Sequence, residues 1–239
     1  MVFNMKYLIV ILLMILLGCN GQADWLEDLA SADSGDMVTI DSGVYVGTFT
    51  IPSGVTLTCD GKCEFSSESG AVFVVNGGTS DPTVLDGVAI FADDGGVLVK
   101  GQGVAELSNT TINSIAGYGI AAEGASLVLD NVSLQGPIKS ADDSILFQFG
   151  NSINSKEMAI IGVMTNGIDV AFTDVNISGF AGFGALFYKT TGAWQSGSVE
   201  LCSGSSILVE NSNLDIFDVT VSNGVTGKLL GANSHMSYG

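Results

Sequence analysis

The chain has 239 residues, 46% of them hydrophobic and only 13% charged, a balance that excludes a disordered acidic tail and calls for a buried core. Glycine fills 32 positions against three prolines, which excludes collagen and proline-rich linkers. Seven lysines, no arginine and 25 acidic residues leave a net charge of −18, so nucleic acid is excluded as a partner by repulsion.

The chain opens with MVFNMKYLIVILLMILLGCN. Lys6 precedes an apolar run from Tyr7 to Leu17, which has the length of a signal-peptide core and is short for a bilayer span. Met1 and Met5 both stand as starts. Leu16-Leu17-Gly18-Cys19 resembles the lipobox of bacterial lipoproteins. That resemblance implies a signal peptide over 1–18, lipidation of Cys19 and a membrane partner through the lipid anchor. An ordinary secretory signal with an incidental cysteine is the competing reading. Asn20 after the cysteine implies the outer membrane if the envelope is Gram-negative. Multiple acyl chains anchor durably because each buried methylene contributes about 0.8 kcal/mol.

Residues 19–36 are expected to form the anchor and a short capping helix. Asp24-Trp25-Leu26-Glu27 has capping-box spacing, with Trp25, Leu26 and Leu29 predicted on one apolar face. Beyond it, short β-branched runs alternate with Gly, Asn, Asp and Ser, which predicts strands and turns. Cys59 and Cys63 flank Asp-Gly-Lys, a tight-turn sequence that predicts a small disulfide loop; a C-x3-C metal pair is the rival. Cys202 has no such neighbour and is expected to be a buried apolar residue.

The rest of the chain repeats itself. NTTINSIAGYGI at 109–120 returns as DVNISGFAGFGA at 174–185. Five copies of the shared core can be anchored on Gly87, Asn109, Asn131, Asp174 and Asn211, with steps of 22, 22, 43 and 37 residues. The step of 43 reads as two periods. The step of 37 reads as one period plus an insertion of about fifteen residues within Tyr188 to Gly204. Apolar residues stand two before and three after each anchor, a separation of five that one flat strand cannot bury on one face. The backbone must therefore bend at the anchor, and Gly, Asn and Asp tolerate the left-handed conformation such a bend needs.

These features predict an all-β fold over 37–239, a parallel β-helix solenoid of about 22 residues per coil. Roughly nine coils would make a rod about 43 Å tall. The helix followed by GDMVTIDSGVYVGTFTIPSGVTL resembles the N-terminal cap and first coils of right-handed parallel β-helix proteins of the pectin-lyase-like class. The resemblance implies polysaccharide chemistry, but its lyases use an arginine base and this chain has no arginine. Nothing in the sequence marks Lys100, Lys139 or Lys189 as an alternative base. The GHG and RIK segments of polygalacturonase relatives are absent as well, although Asp93-Asp94 and Asp142-Asp143 echo their paired aspartates. The lone histidine, His235, reads as a solvent-exposed terminal residue.

Two candidate sites remain. Asp86 and Asp130 precede their anchors and are predicted on one outer column two coils apart, about 9.6 Å. That is at the edge of the spacing of an inverting glycosidase pair, about 6.5–9.5 Å. Calcium could use the same carboxylates with neighbouring oxygens, and a plain solvated stripe explains them equally. Tyr188 and Trp194 are candidates for a carbohydrate-binding platform; Trp194 packing a loop onto the rod is the alternative, and Phe183 and Phe187 are expected in the core. Function then divides between a non-catalytic, lipid-anchored scaffold, adhesive or carbohydrate-binding surface of the bacterial cell envelope, whose partner is carbohydrate or another envelope protein, and a carbohydrate-active enzyme. No cofactor is implied.

Overall fold

The computed structural model describes residues 20–137, 159–222, 227–232 and 235–238. The signal segment, Cys19, Lys139 and the Asp142-Asp143 pair lie outside these residues. Helix α1 (Asn20–Ser31) leads into a stack of parallel coils. Its length places Asp24 inside the helix, not at its start. The coils run through β1 (Met37–Val46) and β2 (Phe49–Ile51), β3 (Thr56–Ser67) and β4 (Ala71–Gly77), and β5 (Thr83–Ala92) and β6 (Gly95–Gly101). Next come β7 (Val104–Ser108), β8 (Thr111–Ser114) and β9 (Gly117–Glu123), then β10 (Ser126–Asp130), β11 (Ser133–Gln135) and β12 (Ala159–Asn166). The last are β13 (Asp169–Ser178) and β14 (Phe183–Tyr188), β15 (Thr191–Glu200) and β16 (Ser205–Glu210), and β17 (Asn213–Val221), β18 (Gly227–Ala232) and β19 (His235–Tyr238).

Two parallel sheets result. Sheet A runs β1-β3-β5-β7-β10-β13-β15-β17-β19, with β8 and β11 completing its middle coils. Sheet B runs β2-β4-β6-β9-β12-β14-β16-β18, eight strands linked by about seven turns. The expected nine coils are therefore too many. The step of 43 residues is a single coil with an excursion, because Asp130 pairs Thr173 and Ser133 pairs Asn176 directly. The expected insertion around Trp194 does not exist: Asp169 to Ser178 pairs Thr191 to Glu200 in regular register.

Sheet A bends where the backbone turns left-handed. Gly87, Asn109, Asn131, Asp174, Ser196 and Asp218 all have positive φ, from 48° to 72°. Asn211 belongs to a different bend. It follows Glu210, which pairs Tyr188, and it shares its left-handed conformation with Gly167 and Lys189 at the exit from sheet B. Before the sheet A bend, Leu57, Leu85, Leu107, Leu129, Phe172, Trp194 and Ile216 stack in one inward column. After it, Phe65, Ile90, Ile112, Leu134, Ile177 and Val199 form a second. All of these side chains are buried. Stacking pairs the backbone between coils while aliphatic side chains leave water, so burial and hydrogen bonding are satisfied together.

The two sheets pinch together at one place. Gly96, Gly119, Gly162 and Gly184 are stacked neighbours at the start of the sheet B strands. A Cβ on Gly119 would lie 2.6 Å from Leu134 Cδ2 and 2.6 Å from the Gly162 oxygen. One on Gly162 would lie 2.6 Å from Ile177 Cγ2 and 2.5 Å from the Gly184 oxygen. The second inward column of sheet A fills the interior here, and only hydrogen fits opposite it.

At the other end α1 covers the first coils. Trp25 and Leu29 are buried, whereas Leu26 is 40% exposed and lies outside the expected apolar face. The Trp25 ring meets Tyr45 at 5.5 Å, Phe49 at 5.4 Å and Phe65 at 6.2 Å. Aromatic rings are bulky enough to close an end that aliphatic columns would leave wet.

Candidate functional site

The Asp86 column builds from the sheet A register. Thr58, Asp86, Ser108, Asp130 and Thr173 are successive neighbours, so the two candidate carboxylates do share an outward column two coils apart. Their environments differ. Asp86 Oδ1 accepts from Ser108 Oγ at 2.7 Å and from Asn109 Nδ2 at 2.9 Å, and Oδ2 accepts from Thr58 Oγ1 at 3.1 Å. Asn131 Nδ2 then donates to Asn109 Oδ1 at 2.9 Å, extending a polar ladder along the bend. Asp130 is exposed. Partial burial pushes the Asp86 carboxyl up, but the three donated hydrogen bonds outweigh it and hold the pKa below the ordinary value.

A depressed folded-state pKa means that the unfolded chain takes up the proton first. The stability Asp86 contributes is therefore present above the unfolded carboxylate's range and is lost as pH falls through the folded value. Between about pH 5 and about pH 3, wild type is expected to lose more stability than Asp86→Asn, which carries no titrating group there. Urea midpoints across that range measure the difference, and parallel curves would show that the ladder does not depend on charge. At neutral pH, Asp86→Ala strands three donors at a half-buried site, a cost of about 1–2 kcal/mol.

Cys59 and Cys63 form a disulfide, with Cα atoms 6.0 Å apart. It closes a loop that interrupts the pairing of β3 with β5 between Thr58 and Cys63, opposite Gly87. Where later coils bend at one left-handed residue, this coil turns through a clipped loop, braced by Ser42 Oγ against the Asp60 oxygen at 2.9 Å. Closing so short a loop is expected to contribute about 2 kcal/mol, read as the drop in urea midpoint for the Cys59→Ser/Cys63→Ser double variant. Cys202 is fully buried, and burial pushes its thiol up to about 11.

The two platform candidates part company. Trp194 is 1% exposed and lies between Phe172 and Ile216 in the inward column of sheet A, so it presents no shelf to solvent. Tyr188 is half-buried on the outer side of sheet B, with Lys189 Nζ 4.9 Å from its ring centroid. Phe187 is core as expected, but Phe183 is not: it stands half-buried on the outer side, beside Ile161. Among the described residues no three His, Cys, Asp or Glu side chains gather as a metal-binding cluster. None of the described helices is long and apolar enough to cross a membrane.

Another surface lies on the outer side of sheet B. Val74, Leu98, Ala121, Met164, Leu186 and Leu208 make one outward column on sheet B, each paired with the next. Gly95, Tyr118, Ile161 and Phe183 form the column beside it, and the Tyr118 ring lies over Gly95, where a Cβ would come within 2.7 Å. Ala121, between two larger neighbours, leaves a notch of about 290 Å³ walled by Leu98, Tyr118 and Met164 and rimmed by Glu123 and Asn166. The available signal was the unbroken apolar run in most sheet B strands, such as AVFVV at 71–75 or ILV at 207–209. A strand with one wet face alternates; a continuous run marks both faces as apolar. No protein-family model matches the chain and no curated protein matches it significantly.

Proposed function

We propose that the protein is a lipid-anchored, non-catalytic rod of the bacterial cell envelope that offers its long side as a binding surface. The observation that carries this reading is the apolar outer face of sheet B, a flat side of a solenoid where a soluble rod would alternate polar residues. Asp86 supports it from the other side, since its carboxylate braces the bend through three hydrogen bonds. The lipobox resemblance supports anchoring through Cys19, and the resemblance of the first coils to pectin-lyase-like proteins supports an extracytoplasmic setting. Fatty-acid labelling of cells is expected to mark wild type and spare Cys19→Ala; equal labelling of both refutes the anchor.

A carbohydrate-active enzyme is the second reading, favoured by the shared outward column of Asp86 and Asp130. In that reading Asp86 and Asp130 are the carboxylate pair that flanks the scissile bond. Turnover of neutral or acidic polysaccharides by wild type, lost in Asp130→Asn, would establish it over the binding rod.

A further inference from the structure

We propose that the outer face of sheet B is a self-association surface, on which a second copy of this chain docks antiparallel. The face is self-complementary by register. Along its central column the residues run Val74, Leu98, Ala121, Met164, Leu186, Leu208. A two-fold axis lying across the face between Ala121 and Met164 sets Met164 of each copy over the Ala121 notch of the other. The same axis brings Leu98 opposite Leu186 and Val74 opposite Leu208. In the adjoining column it brings Phe183 opposite Gly95 and Tyr118 opposite Ile161. Met164 meeting Ala121 places large against small on both sides of the axis, as an isologous interface needs to pack without voids.

Charge favours the same occupant. The chain carries −18, so two copies repel along most approaches. The rim of this face holds Lys100, Glu123, Lys189 and Glu210 along one edge and Asp93 and Asp94 beside Tyr118 along the other. Lys62, Lys100 and Lys189 are the lysines whose side chains are described, and two of them stand here. The outer side of sheet A carries Glu64, Asp86, Glu106, Asp130 and Asp215, so sheet B is the less acidic side for two rods to meet on. Six strands by three outward columns span about 30 Å by about 20 Å, or about 600 Å² per copy, an area suited to a reversible dimer.

The inference rests on the reading of this face as the binding surface but not on the anchor: a monomer would leave Cys19 lipidation standing, and failed labelling would leave the dimer standing. The test is sedimentation velocity of the full chain in mild detergent over a concentration series. A shift from monomer to dimer is expected with rising concentration. Met164→Glu, which buries a charge in the notch, and Ala121→Leu, which fills it, are expected to weaken association at least tenfold. Thr111→Glu on the outside of sheet A should leave it unchanged. Far-UV circular dichroism and Tm establish that each variant folds. A wild type that stays monomeric throughout, or a Met164→Glu variant that dimerises equally, overturns the proposal. So does a monomer whose Leu186→Cys thiol is shielded from a polar reagent, since residues 138–158 of the same chain would then cover the face, or a monomer that gains mass only with a neutral glycan.

Discussion

Gly162→Ala is expected to lower stability by about 3 kcal/mol, and Gly162→Val to prevent the coils from β9 upward from closing. The cause is space, not backbone conformation. An added Cβ meets the Gly184 oxygen at 2.5 Å, Ile177 Cγ2 at 2.6 Å and Phe180 Cε2 at 3.1 Å, and the first of these is backbone that cannot move without breaking the ladder above it. Gly119 and Gly96 face the same obstacle one and two coils below, so Gly119→Ala should behave alike. Gly70 supplies the contrast. Its φ is +71° and nothing lies within 4 Å of its added Cβ, so Gly70→Ala carries only the left-handed strain of about 1–2 kcal/mol. Urea midpoints in the order wild type, Gly70→Ala, Gly162→Ala are the expected result. Equal midpoints for the two alanine variants would show that the pinch relaxes.

Trp194→Ala is expected to cost about 3–5 kcal/mol, the range for truncating a buried large aromatic. The ring sits 5.8 Å from Phe172 and 6.3 Å from Phe187, bridging the inner sides of sheets A and B. Its Nε1 donates to the Ser196 oxygen at 3.0 Å, tying the core to the left-handed residue of that coil. Deletion therefore opens a cavity and loosens a bend together. Trp194→Phe keeps most of the volume and should cost less than half as much. Iodide quenching provides an independent readout, because Trp25 and Trp194 are both buried. Native fluorescence is expected to resist iodide until the coils unfold; quenching in the folded state, or a response to added glycan, would return Trp194 to the surface.

The solenoid and its period were legible because one bend repeats with the same three tolerant residues. Gly87, Asn109, Asn131 and Asp174 fall on it as read from the sequence. The reading failed at Asn211 because a second bend asks for the same backbone conformation and is also preceded two residues earlier by an inward apolar side chain, Val209. Two corners with one chemistry cannot be told apart by spacing once an excursion breaks the count. That misplacement created the step of 37 and turned a core tryptophan into a surface candidate, while reading the step of 43 as two periods hid the excursion after Gln135. Ser196, the true neighbour of Asp174, escaped notice because serine is a less common left-handed residue. The Asp86 column was legible, since alternation at a strand end fixes which side a residue takes. Its hydrogen bonds were not, because the partners Thr58 and Asn109 come from coils below and above. Phe183 and the rest of the sheet B outer face were missed because apolar residues were assigned inward by default.

The excursion after Gln135 has a practical meaning for anyone who wants to rebuild this molecule. Ser133, Leu134 and Gln135 pair with Asn176, Ile177 and Ser178 without a slip, and β12, after one irregularity between Ala159 and Ile161, takes its place between β9 and β14 in the common register. The number of residues between Gln135 and Ala159 is therefore free of the period that governs the other corners, and the thread of the spindle is counted in rungs and not in residues.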